Sequence, residues 1–247
     1  MKNKFDKIID WLVIAFIFLL PWQTRLILRP GKIGNGASEY LTISLYAIDL
    51  LALLIAALYL WSNGSIWQKL RTSRKAMCIV PIFLLFFAVN IAFSADRLLA
   101  AYVWLRLTVA MTLFLAVKEK VPWRKITLGF VFGLLLPSWL AIWQFLYQGT
   151  FANKWLGLAE HVASDPGTSV IEVYPIGQKP ERWLRAYGSF DHPNILGGVM
   201  AAGLLLSLWM LSRAEKDGND RFKPFYYLAV ASFAGALFVS FSRAAWL

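Results

Sequence analysis

The chain is poor in charge, and the charge it has is lopsided. Charged residues are 16% of the 247, with 14 acidic against 25 basic, well short of the quarter or so that a soluble domain carries. The single cysteine, Cys78, excludes an intrachain disulfide and leaves the redox compartment unread. No repeat of fixed period and no low-complexity tract is present, which excludes a solenoid and a disordered tail. No small-residue cleavage site follows the first apolar run; Pro21, Trp22 and Arg25 stand there instead, so the run reads as a retained helix and not as a removed signal.

What fills the chain is apolar. Hydrophobic residues reach 59% and mean hydropathy is +0.57, the profile of a membrane protein. A spanning helix needs roughly 20 mostly apolar residues, and about seven such runs occur. They cover residues 8–22, 41–61, 77–94, 98–117, 126–147, 194–211 and 225–247. The expected fold is all-α: a polytopic membrane helix bundle of about seven transmembrane helices.

Basic residues set the orientation. With a cytoplasmic N-terminus, the inner segments hold Lys2, Lys4 and Lys7, then Lys69, Arg71, Arg74 and Lys75. They also hold Lys118, Lys120, Arg124 and Lys125, and finally Arg213, Lys216, Arg221 and Lys223. That inner-side excess is the usual topological bias of membrane proteins. The net charge of +11 is therefore mostly a topology signal, and nucleic acid is excluded as a partner because no soluble basic module is present. Trp22, Trp61, Trp123, Trp143 and Trp155 lie near helix ends, where interfacial anchors belong.

Three regions follow: a five-helix membrane region over 1–147, an external loop over 148–193, and the start of a further helical domain over 194–247. The loop is the only long connection, and long ordered loops are more often functional than incidental. The last apolar run ends without a polar tail after Leu247, so the chain reads as an N-terminal fragment.

Several charges lie at membrane depth. Asp49 and Arg106 each fall about eight residues into their runs, roughly 12 Å deep on the same side at 1.5 Å per residue, so they can meet. Such a pair either fixes helix packing or leaves Arg106 lining a cavity for an anion. Arg25, Arg29, Arg106, Arg185 and Arg243 all fall in or above the outer leaflet, and guanidinium groups bind phosphate oxygens two at a time. Snorkelling is the ordinary alternative and suits Arg25, Arg29 and Arg97 better.

The densest polar stretch, RAYGSFDHPN over 185–194, directly precedes the sixth apolar run. Pro193 suits a first helical turn, Asp191 or Asn194 suits a cap, and Gly188 permits a sharp turn. Free N–H groups at such a helix start would make an anion site. His192 is placed to move protons near neutral pH, though a loop histidine before a helix is more often structural.

RAYGSFDHPNILGGVMAAGLLL resembles the Arg-x-x-Gly-x-Phe-x-x-Pro-Asn signature of O-antigen ligases and O-antigen polymerases, and SFSRAAWL resembles the Ser-Arg motif on the next helix of their shared domain. LPWQTRL and EYLTISLYAIDLLALL are similar to that family's N-terminal half. The resemblance is close over 185–247 and loose elsewhere. It implies a membrane glycosyltransferase of the bacterial inner membrane, active at the periplasmic face. The enzyme would pass a glycan from undecaprenyl diphosphate to lipid A core or to a growing polysaccharide. It implies no metal and no cofactor, in keeping with the absence of any Asp-x-Asp pattern. Arg185 and Arg243 would be the catalytic residues, holding the diphosphate, with Arg106, Gly188, Phe190, His192, Asn194 and Ser242 shaping or contacting the substrate site. The family's base sits on a histidine-bearing loop that has no counterpart here, so this length of chain alone is expected to bind donor weakly and to catalyse nothing. Rival expectations are a flippase for a polyprenyl-linked oligosaccharide, a peptidoglycan-type polymerase, an inactive fragment and a scaffold with snorkelling arginines.

Overall fold

The computed structural model describes residues 2–34, 36–38, 41–62, 74–175, 179–218 and 221–247. The basic stretch with Lys69 and Arg71, and Gly177 of the long loop, lie outside the described residues. The chain is mostly helical. Its order is α1 (Lys2–Leu19), β1 (Arg25–Arg29), β2 (Lys32–Ile33), β3 (Gly36–Ala37), β4 (Ile43–Tyr46), α2 (Ala47–Ser62), α3 (Arg74–Phe93) and α4 (Arg97–Lys120). There follow α5 (Trp123–Tyr147), β5 (Val170–Val173), β6 (Glu181–Leu184), α6 (Pro193–Asp217), α7 (Lys223–Val239) and α8 (Arg243–Trp246). Three helices among the described residues are long and apolar enough to cross a membrane, Arg97–Lys118, Trp123–Tyr147 and Pro193–Lys216. Shorter apolar helices span Ala47–Trp61, Ile82–Phe93 and Lys223–Val239.

Contacts divide the chain into two units, Met1–Phe16 with Arg25–Pro122, and Ile17–Thr24 with Trp123–Leu247. In the first unit α4 packs against α2 and α3. The all-helical expectation is corrected by three two-stranded antiparallel sheets, β1 with β4, β2 with β3 and β5 with β6. Hydropathy merged residues 41–46 with the helix behind them because a short apolar run reads alike as strand or buried helix. Backbone pairing decides it: Arg25 lies opposite Tyr46 and Leu26 opposite Leu45.

Asp49 therefore stands in the first turn of α2 and not in mid-span. Its Oδ2 accepts from the Tyr46 N–H at 3.1 Å, the reciprocal half of a capping box. The other oxygen, Oδ1, accepts from Arg106 Nη2 at 3.3 Å. Arg106 also donates to the Tyr102 hydroxyl at 3.0 Å and lies over the Tyr46 ring, 5.1 Å from its centroid. The pair thus ties α4 to the start of α2. Arg29 is similarly engaged by Asp96, which caps α4 by accepting from Leu99 N–H.

The second unit is a three-helix core. α5 and α6 both pack on α7, burying Val131, Leu134, Met200, Ala229 and Phe233 completely. Gly133 lets the end of α1 approach α5, since a Cβ there would stand 2.5 Å from the Phe18 carbonyl oxygen. Small residues at such crossings are what close helix packing requires.

Candidate functional site

The site is assembled where α5 and α7 end and α6 begins. α5 contributes Gln144, which is 2% exposed, a polar side chain that must be bonded. Its Oε1 accepts the N–H groups of Tyr187 at 3.1 Å and Gly188 at 2.7 Å, and its Nε2 donates to the Gly188 carbonyl at 2.9 Å. One turn further on, Gln148 Oε1 accepts from the Leu184 N–H at 2.7 Å. Gln144 in the last turns of α5 and Gln148 just beyond it thus hold the backbone over residues 184–188.

Gly188 has φ +61, the left-handed conformation that glycine adopts without steric cost. A Cβ there would stand 2.9 Å from Leu196 Cδ1 and 3.0 Å from the Pro137 carbonyl oxygen. The turn so formed drives Phe190 into the hydrophobic core, together with Ala186. Phe190 anchors the turn and does not line the open site.

The start of α6 corrects two expectations. The N-cap is His192, with its Nδ1 accepting from the Asn194 N–H at 3.1 Å; neither Asp191 nor Asn194 caps the helix. Pro193 occupies the first turn as expected. The N–H groups of Ile195 and Leu196 both donate to the His192 carbonyl, and Pro193 has none, so the first turn offers an anion no free donor. The other ring nitrogen, Nε2, lies 3.3 Å from Ser169 Oγ.

Arg185 is half-buried and spans two elements. Its Nε donates to the Ser240 carbonyl at 2.9 Å, and Nη2 donates to the Phe241 carbonyl at 3.2 Å and to Asn194 Oδ1 at 2.7 Å. Helix α7 stops at Val239, eight residues short of the expected end. The cause is a turn in which Phe241 adopts φ +49, strained for a bulky side chain. Arg185 bonds the carbonyls of Ser240 and Phe241 and so holds that turn. Beyond it, Ser242 is the N-cap of α8 and Arg243 opens that helix; Arg243 is not inside a span. Gly197 makes room, since a Cβ there would lie 2.5 Å from Ser242 Cβ. Ser242 is consequently 2% exposed and, like Gly188, supports the site from beneath.

Arg185, Asn194, Phe241, Arg243 and Trp246 line one cleft with Val170 and Ile171 of β5, about 670 Å3 in volume. No acidic side chain pairs with either arginine among the described residues. Burial pulls the Arg185 guanidinium below its ordinary value, Tyr187 opposes this, and the Arg243 charge adds to it. A guanidinium nevertheless stays protonated at any working pH, so the cleft is cationic and an anion relieves the repulsion between the two groups.

His161 stacks on Tyr187, with ring centroids 3.9 Å apart and planes 11° from parallel. Burial pushes its imidazole below the ordinary histidine range, against the pull of Asp191. Of the residues singled out by sequence, the structure brings Arg185, Asn194 and Arg243 into one cleft and sets Gly188, Phe190 and Ser242 in support. His192 caps the adjoining helix, and Arg106 belongs to the other unit. Sequence reasoning missed Gln144, Gln148 and Gly197; a lone amide in an apolar run was the available signal for the first. No protein-family model, curated protein or solved structure matches the chain.

Proposed function

We propose that the chain belongs to a membrane glycosyltransferase of the O-antigen ligase and polymerase kind. In this reading it moves a glycan from a polyprenyl diphosphate carrier to lipid A core or to a growing polysaccharide, at the outer face of the bacterial inner membrane. The observation that carries the reading is the meeting of Arg185 and Arg243 in one cationic cleft, although they come from separate stretches on either side of α6 and α7. The long helices α4, α5 and α6, together with α1 and the shorter apolar helices, supply the material for a seven-span, N-in bundle.

The chemistry is a single displacement. An acceptor hydroxyl oxygen attacks the anomeric carbon, the bond from that carbon to the diphosphate oxygen breaks, and its electron pair leaves on the diphosphate. Arg243, with the remaining Nη1 of Arg185, would neutralise the charge developing there, the electrostatic contribution that dominates many such sites. The hydroxyl proton passes to a base, and His192 Nδ1 is not that base because it accepts from the Asn194 N–H at the helix cap. No step calls for a metal or a cofactor.

The test is glycan transfer in proteoliposomes or in cells lacking the corresponding activity, using the intact gene. Arg243→Gln is expected to abolish transfer of polyprenyl-linked glycan while leaving the protein in the membrane. Wild-type transfer rates in that variant would sink the reading, and movement of the glycan lipid across the bilayer with no covalent product would favour a flippase.

A further inference from the structure

The cleft is larger than its anion needs. Its volume is about 670 Å3, whereas a diphosphate fills a few times the roughly 30 Å3 that one water takes. Away from the guanidinium groups much of the lining is aromatic or aliphatic, and its largest exposed ring is Trp246, 45% accessible.

Trp246 is held rather than free. Its Nε1–H donates to the Leu237 carbonyl at 3.0 Å. Its plane lies within 6° of Phe238, with centroids 5.9 Å apart, and the tilted Phe241 ring stands at the same distance. Its backbone N–H is bonded to the Ser242 carbonyl, on the turn that Arg185 holds. With the indole N–H used inside the protein, Trp246 offers its neighbours in the cleft only carbon edge and π surface. A fixed flat ring beside an anion site matches the C–H face of a sugar attached to that anion.

We infer that Trp246 is the platform on which the sugar ring next to the diphosphate stacks, and hence a residue that selects among glycans; the inference rests on the proposed function. The alternative occupant of the ring, the polyprenyl chain, fits less well. Trp246 stands beyond α7, Arg185 in the connection before α6 and Asn194 in the first turn of α6, so the ring lies beside two guanidinium groups and an amide, neighbours that suit a sugar better than an isoprenoid.

The test uses the whole chain in lipid nanodiscs and three probes at millimolar concentration: inorganic pyrophosphate, glucose 1-phosphate and geranyl diphosphate. Affinities are read by 31P NMR line-broadening titration, since all three probes carry phosphorus. Trp246→Ala is expected to weaken glucose 1-phosphate about tenfold, leaving pyrophosphate and geranyl diphosphate within about twofold of wild type. Trp246→Leu, which fills the space without a π face, is expected to behave as Ala does, and Trp246→Phe to recover most of the loss. Unchanged glucose 1-phosphate affinity in Trp246→Ala overturns the inference. So does full retention in Trp246→Leu, or a loss confined to geranyl diphosphate. Pyrophosphate affinity that fails to fall in Arg243→Gln overturns the anion site itself, and with it the function on which the platform depends.

Discussion

Replacing Arg185 and Arg243 by lysine, one at a time, is expected to give opposite signatures. Arg185 makes three hydrogen bonds within the chain, to Ser240, Phe241 and Asn194. One ammonium cannot span three acceptors that a planar fork reaches from two nitrogens. Bonds to a charged donor contribute about 1.5–3 kcal/mol each, and water replaces part of that loss because Asn194 is exposed. A net local loss of about 2–4 kcal/mol follows, or at least about thirtyfold in an opening equilibrium. Hydrogen exchange is the assay. In Arg185→Lys, the amides of Ala186, which donates to Val239, and of Trp246, which donates to Ser242, should lose that factor in protection. Arg243 has no hydrogen-bond or ion-pair partner among the described residues, so Arg243→Lys should leave protection within about twofold and weaken pyrophosphate binding instead. Equal protection losses in the two variants would refute the division of labour. Unchanged protection in Arg185→Lys alongside a large binding loss would refute it too, since Arg185 would then spend its donors on the ligand.

Three further expectations concern the frame of the site. Gln144→Leu leaves the N–H groups of Tyr187 and Gly188 and the Gly188 carbonyl buried without partners, at about 1–3 kcal/mol each; a thermal midpoint in detergent that stays within about 2 °C of wild type would count against the clamp. Gly188→Ala combines positive φ with contacts below ordinary packing distance and should cost more than Gly167→Ala, where φ is +87 but nothing lies within 4 Å; equal stabilities of the two variants would contradict this. The His161 imidazole is held below its ordinary range by burial, so the folded chain binds fewer protons than the unfolded one. Stability should therefore rise with pH across the region from the folded value up to the reference 6.5, and flatten above it. His161→Phe, which keeps a ring against Tyr187, should remove that slope, and a slope that persists unchanged would assign the effect to another group.

The apolar runs disclosed the helices because burial in lipid and burial in protein select the same side chains, and α5 and α6 lie close to where hydropathy put them. The same equivalence hid their ends. Residues 41–46 are as apolar as a helix yet pair as a strand, and α7 stops at Val239 with no glycine, proline or asparagine to mark it, because Phe241 takes the positive φ. Gly188 and Pro193 were readable from single positions, since each has a backbone conformation that few other residues adopt. The meeting of Arg185 and Arg243 was not readable from spacing at all; only the resemblance of two separated motifs pointed to it. What sequence reasoning passed over was polarity of an uncharged kind. Charge in an apolar helix attracts notice, yet Asp49 and Arg106 neutralise one another and tie two helices, while the neutral Gln144 reaches across to the loop and shapes the ground on which the arginines stand. A charged group at membrane depth is most stable when paired, and a paired charge has little left for a ligand. An amide satisfied by backbone carries no such constraint, so it can hold the loop rigid and leave the cationic groups above it unpaired. In this chain the buried amide of Gln144, and not the partly exposed pair of Asp49 and Arg106, supports the turn beside the two unpaired arginines.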